Sequence, residues 1–243
     1  MRKKKCLAFL IFIFILPYYL PAQKADDVVK KYVAYIGGEK NWKKIKTLTT
    51  SGKYNYGGME FPFTAYAKAP NRYKFIVPLE GKYYAQAFDG EKGWKIDAFK
   101  NETTPTMLSG KDAYSMANEA DVELEDVFVD YKRKGHTTVV ERKDTINGKN
   151  CIGIKLTRQS GDIQTYFFDE ATGALVMKIA ASKNAELQGS LLTTLYSDYR
   201  DVDGIKIPFK SVSSFNDQLI LEITVDKAEV NAAIDDKEFR TPN

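Results

Sequence analysis

An α+β protein built mainly of antiparallel β-structure is predicted by three observations. From residue 52 onward most of the chain runs in strand-length stretches of alternating side chains, Gly, Pro, Asn and Asp break those stretches at hairpin-like intervals, and helical period appears in few places. Close turns between successive strands make a meander the natural topology. No linker or low-complexity stretch interrupts residues 23–243, so one domain is expected there.

The first 22 residues read as an export signal. Arg2, Lys3, Lys4 and Lys5 form a basic head, an apolar run extends from Cys6 to Leu16, and Pro17 begins an exit that ends at Ala22. The run is short for a bilayer span, so cleavage after Ala22 is expected. A lipid anchor needs a cysteine at the cut; Cys6 precedes most of the run, so no anchor is expected. Removing these residues takes four of the 36 Lys and Arg, leaving 32 against 32 Asp and Glu. The mature chain is formally neutral, and the precursor's basic pI gives no argument for nucleic acid. Cys151 then stands alone, which excludes an internal disulfide.

Asp26 or Asp27 is placed to cap a helix whose apolar face is Val29, Val33 and Ile36 with Tyr32 beside it, and Gly37-Gly38 stops it. A short second helix through Trp42 and Ile45 leads into the sheet, and both helices are read as covering its apolar face. Residues 52–97 follow as consecutive strands. Met59, Phe61, Phe63, Ala65 and Ala67 share one parity and therefore one face. Turns fall at Gly57-Gly58, Ala69-Pro70-Asn71, 78–81 and Asp89-Gly90, and Trp94 and Ile96 share a face. Beyond Pro105 the period changes. Ser109 and Asp112 resemble a capping box, Ala113, Met116, Ala117 and Ala120 fall at helical spacing, and a further helical turn is expected over 127–131.

Strand periodicity resumes after His136. The expected strands are 137–142, then 151–157 after a turn at Asn147-Gly148, with Ile152, Ile154 and Leu156 on one face. Residues 164–168 and 174–179 flank a turn at 169–173, and 191–199 and 205–214 flank one at 201–204. In 219–225, Leu219, Leu221, Ile223 and Val225 alternate with polar residues.

Acid–base or nucleophilic chemistry needs an activated group, and the inventory is thin. The single histidine, His136, lies at an exposed strand entry, and Cys151 has no activating neighbour, as expected of a buried, inert thiol. One Cys and one His do not make a soft zinc site without carboxylates. Asp121, Glu123, Glu125 and Asp126 lack the spacing of a calcium loop and read as a solvated helix face. Gly57-Gly58 lacks the lysine and helix of a phosphate loop. Arg72-Tyr73-Lys74-Phe75 interleaves basic and aromatic residues, as a half-buried strand does. No enzyme activity, cofactor, metal or nucleic-acid partner is expected.

What remains is an aromatic-rich sheet beneath helices whose inward residues, Met116 and Ala120, are flexible or small. A curved sheet covered in this way can hold an acyl chain or another apolar ligand, and equally it can enclose a filled core. The candidate ligand wall is Phe61, Phe63, Tyr73, Phe75, Ala85, Trp94 and Met116.

Several short motifs recur in a familiar order: Met59-Glu60-Phe61-Pro62-Phe63, Lys68-Ala69-Pro70-Asn71-Arg72-Tyr73, Phe88-Asp89-Gly90 with Gly93-Trp94, Val129-Asp130-Tyr131, Tyr196-Ser197-Asp198-Tyr199 and Ile234-Asp235-Asp236. In this order the chain resembles the outer-membrane lipoprotein-sorting-protein-like family, distant relatives of the periplasmic lipoprotein carrier LolA. The resemblance implies an unclosed antiparallel half-barrel with helices lidding an apolar concave face, where acyl chains of a lipid or lipoprotein are carried. Where that carrier has an arginine that hydrogen-bonds its lid helices, this chain has Ala69, so the resemblance carries the fold and leaves the cargo and the opening mechanism unassigned. It implies a monomeric periplasmic carrier or sensor whose partners are a lipid or acylated lipoprotein and an envelope membrane protein. The alternative is a non-enzymatic envelope scaffold with a filled core.

Overall fold

The computed structural model describes residues 20–110, 112, 113, 116, 117, 120, 126–182 and 189–242. Helix α1 (Leu20–Tyr35) and the single turn α2 (Glu39–Trp42) precede a sheet of thirteen strands among the described residues. They are β1 (Thr47–Tyr56), β2 (Met59–Lys68), β3 (Arg72–Leu79), β4 (Lys82–Phe88), β5 (Gly93–Ile96), β6 (Thr106–Met107), β7 (Thr137–Ile146), β8 (Lys149–Thr157), β9 (Ile163–Asp169), β10 (Leu175–Ala181), β11 (Leu191–Val202), β12 (Ile205–Phe215) and β13 (Gln218–Val230).

The strands lie in the order β6-β5-β4-β3-β2-β1-β13-β12-β11-β10-β9-β8-β7, all antiparallel. β6 and β7 are the two edges and do not meet, so the sheet is an open half-barrel. The expected single meander is in fact two, joined where the last strand pairs with the first (Leu48 opposite Val230, Tyr54 opposite Ile223). β6 and β7, joined by residues 108–136, thus stand at opposite edges of the sheet. Bulges at Ser51/Gly52, Val140/Arg142 and Ser213/Ser214 sharpen the curvature. Glycine is required at the first: a Cβ on Gly52 would lie 2.0 Å from the Thr224 carbonyl oxygen.

The alternation read from the sequence sorts the two faces. Phe63, Ala67, Tyr73, Phe75, Val77, Ile154, Leu156, Phe168, Ile205 and Val225 point inward to one core with Ala25, Val29, Tyr32 and Ile36 of α1. Two differences from the sequence reading concern helices. Asp26 and Asp27 do not cap α1, which already runs from Leu20, and Ala25 is fully buried in it. Residues 127–135 form linked turns rather than a helical turn, with Asp130 at φ 55° in the left-handed region. Gly110, Asp112, Ala113, Met116, Ala117 and Ala120 are helical as expected, while Asp121, Glu123 and Glu125 lie outside the described residues. β7 and β13 run beyond their predicted ends, to Ile146 and Val230, where ladder pairing with β8 and β1 continues. Among the described residues no helix is long and apolar enough to cross a membrane.

Candidate functional site

The hairpin turns alternate between two ends of the half-barrel. Gly57-Gly58, Glu80-Gly81, 158–162 and Asn216-Asp217 lie at one end, here the tip; Asn147-Gly148, 170–173 and Asp203-Gly204 lie at the other, the base. α1 closes the base. Lys31 Nζ donates to the Glu170 and Ala171 carbonyls, and the Lys206 N–H donates to Ile36 O at 2.9 Å.

Of the seven predicted wall residues, five lie on the concave side. Phe63, Tyr73, Phe75 and Met116 are 4–7% exposed and belong to the filled core, while Phe61, nearer the tip, is half-buried. Ala85 and Trp94 are on the opposite face. Ala85 pairs with Ile76 and Ile96, Trp94 pairs with Ala87, and strand parity sends this set outward while Phe75, Val77 and Tyr84 point inward. This outer cluster is covered by the C-terminal segment. Phe239 is fully buried, the Trp94 Nε1–H donates to Phe239 O at 2.9 Å, and Lys68 and Lys74 pair with Asp236 and Glu238 at 2.7 and 3.0 Å.

Above the filled core, the tip half of the concave face remains partly open. Strand register lines up Tyr166, Lys178, Thr194, Ser213, Leu221 and Tyr56 in one row, from β9 to β1. The next row contains Tyr196, Ser211, Ile223, Tyr54 and Phe61. From Lys178 to Tyr56 the first row passes from polar to aromatic side chains over about four strand spacings, ~19 Å. On the aromatic side Phe99, in a 3₁₀ turn (Ala98–Lys100), gathers Tyr56, Phe61 and Tyr84 at centroid distances of 5.3–5.9 Å, and Tyr54 stacks on Tyr56 at 6.1 Å. On the polar side Thr194 Oγ1 and Ser213 Oγ are 2.9 Å apart, Lys178 Nζ stands 6.0 Å from the Tyr196 ring centroid, and the Tyr166 hydroxyl donates to Gln164 Oε1. Burial pushes the Tyr54 and Tyr166 hydroxyls up to about 12, against the pull of Lys178 and Arg158 on the latter.

Sequence reasoning missed this site because Lys178, Thr194, Ser211 and Ser213 look like solvent-facing strand residues. Only the register across five strands shows that they face the same hollow as the aromatics.

The cover over the concave face is latched by carboxylates. The Tyr32 hydroxyl donates to Asp126 Oδ2 at 2.6 Å, Tyr131 and Lys132 both donate to Asp26, and Lys43 Nζ lies 3.1 Å from Asp130 Oδ2. Phe128 is wedged among the rings of Tyr32, Tyr131, Tyr166 and Phe168 at 4.8–6.4 Å. Ala69 packs against the core and its N–H donates to Lys46 O at 2.9 Å.

Elsewhere the chemistry is sparse. Cys151 is buried on the outer face with Ile146, Phe167 and Val176, and burial pushes its thiol up. His136 is half-buried, its Nδ1 accepting from the Gln159 N–H at 3.3 Å. A groove of about 550 Å³ opens where β12 and β13 part, lined by charges of both signs including Arg200, Asp226, Lys227 and Glu229. Its β12 edge cannot template another strand, because the Lys206 N–H is taken by Ile36 O and Pro208 has none.

No family model matches the sequence, and no curated protein matches it. Solved structures with similar folds include a DUF1329 family protein from Desulfovibrio piger (12% identity, TM-score 0.59, covering 89% of this chain and 97% of that one). A LolA superfamily protein from Nitrosomonas europaea is 10% identical with a TM-score of 0.55, covering 90% and 97% of the two chains. A putative outer membrane lipoprotein-sorting protein domain from Vibrio parahaemolyticus is 11% identical with a TM-score of 0.54, again covering 90% and 97%. The open antiparallel half-barrel of this chain is thus similar in overall fold to these three structures.

Proposed function

We propose that the protein is an exported, periplasmic carrier or sensor for an amphiphile, which it binds without covalent chemistry. The observation that supports this reading is the half-open aromatic wall of Tyr54, Tyr56, Phe61, Tyr84 and Phe99 at the tip end of the concave face, above a core that is otherwise filled. An acyl chain laid against such a wall gains about 0.8 kcal/mol for each methylene removed from water. Displacing the cover latched through Asp26 and Asp126 would release the chain to a membrane or a partner protein. The reading includes one domain over residues 23–243, cleavage after Ala22 and no lipid anchor; α1 would then begin at Gln23, and N-terminal sequencing of the exported protein tests the cut.

The decisive experiment is denaturing extraction of the purified mature protein followed by lipid mass spectrometry, with titration of a fluorescent fatty acid in parallel. Co-purifying acyl lipid, or saturable binding that Phe99→Ala and Phe61→Ala weaken about tenfold, is expected. Protein that is consistently empty and refuses the fatty acid overturns the reading.

A second reading, an envelope interaction module, draws on the apolar rim of the same end. Tyr56, Met59, Ile163, Leu191 and Leu219 are 38–62% exposed, and all lie at strand ends around the tip. It predicts one dominant protein partner on periplasmic crosslinking, lost in a Met59→Lys, Leu219→Lys variant that still binds the fatty acid.

A further inference from the structure

Arg158 is a charge buried without a counter-ion among the described residues. It follows the last residue of β8 with the parity of Ile154 and Leu156, which face the concave side, and it is 8% exposed. Its backbone N–H donates to Asp162 O at 2.9 Å, closing the β8–β9 turn. Its Nε is buried with no hydrogen-bond partner among the described residues, and no ion pair among them includes it.

A guanidinium cannot shed its proton to escape burial, so it needs an anion, and its planar fork fits the two oxygens of a carboxylate or phosphate. Its surroundings already suit one. Lys178, on the same face, brings a second positive charge beside Tyr166, and both cations act on the Tyr166 hydroxyl. Thr194 and Ser213 continue the row with hydroxyls, and beyond them Leu221 and Tyr56 begin the aromatic wall.

We infer that Arg158 and Lys178 form a binding site for the anionic head, a carboxylate or phosphate, of an amphiphile whose tail runs along the row toward Tyr56 and Phe61. The inference rests on the concave face being an acyl-binding surface, and adds that the ligand is anionic and enters in one orientation. The rival occupants are free inorganic phosphate and a carboxylate of the chain's own β6–β7 connection, Asp121, Glu123 or Glu125.

The test is calorimetric titration of the mature protein with oleate, oleoyl lysophosphatidate, methyl oleate and inorganic phosphate, repeated on Arg158→Gln, Arg158→Lys and Lys178→Gln. Oleate or the lysophosphatidate should bind at least about tenfold more tightly than methyl oleate. Arg158→Gln should erase that preference while leaving methyl oleate binding within about twofold, Arg158→Lys should keep part of it, and Lys178→Gln should reduce it several-fold. If methyl oleate binds as well as oleate, or Arg158→Gln leaves the preference intact, the head site is overturned and the acyl surface stands. If none of the three lipids binds, the acyl reading itself fails. Phosphate binding that no lipid displaces assigns the site to a free anion and overturns the proposal. Preference for the anion that emerges only after Asp121, Glu123 and Glu125 are neutralised gives the guanidinium to the chain's own carboxylate, and likewise overturns it.

Discussion

Trp94 and Asp26 are two side chains whose neighbours in space changed their expected roles. Trp94 serves the outer face, where its indole N–H reaches Phe239 O at 2.9 Å. Trp94→Phe should lower the unfolding free energy by about 1–2 kcal/mol in urea titration, because the Phe239 carbonyl is left unpaired beside a smaller ring. Asp26 is a latch residue rather than a cap. Burial works to raise its pKa, but hydrogen bonds from Lys132 and Tyr131 outweigh it and hold the carboxyl below its ordinary value. A depressed folded-state pKa contributes stability above the ordinary carboxylate range, lost as pH falls through the folded value. Asp26→Asn should therefore melt below wild type at pH 7, and the two melting temperatures should converge below about pH 4. Equal melting temperatures at pH 7 would mean that Asp26 latches nothing.

At the scale of elements, the junctions between segments decide what covers what. Gly37, just beyond α1, sits at φ 107° with the β11–β12 turn against it, and a Cβ there would stand 2.2 Å from Gly204 O. Gly37→Ala should cost about 2 kcal/mol or more, seen as a drop in urea midpoint with loss of α1 protection in hydrogen exchange. The 3₁₀ turn Asp236–Phe239 performs a similar docking on the other face. Phe239→Ala should cost about 3–5 kcal/mol, and its signature is enhanced dye binding at the uncovered Trp94 and Ile96. Both glycine punctuation and the apolar faces are legible in the sequence. The C-terminal cover is not, because a four-residue turn has too little period to reveal that it buries anything.

For the whole molecule, the order of strands accounts for the site. Pairing β13 with β1 leaves β6 and β7 at opposite edges, and described residues of the connection between them, Met116, Ala120 and Phe128 among them, pack on the concave core. The core fills the base and reaches the tip at Val77 and Leu156, while the aromatic wall around Phe99 is left half-exposed. A ligand bound there stabilises the folded state by mass action. At a hundredfold excess over its dissociation constant, oleate should raise the unfolding free energy by about 2.7 kcal/mol, with a proportional rise in urea midpoint. An unchanged midpoint at saturation would mean that the bound lipid does not distinguish folded from unfolded chain.

By itself the sequence determined the elements and which residues share a face, because period-two alternation and turn chemistry are local: Phe61 with Phe63, Trp94 with Ile96, Gly37-Gly38 ending α1. Tertiary structure alone decided which face was concave, where the hollow was already filled, and which polar residues look into it. Ala85 and Trp94 changed sides because a sequence shows that residues share a parity, but not toward which side the sheet will curl. Arg158 and Lys178 came into view for the same reason: strand parity and register, not the chain order, show that both lie on the face that carries Tyr166.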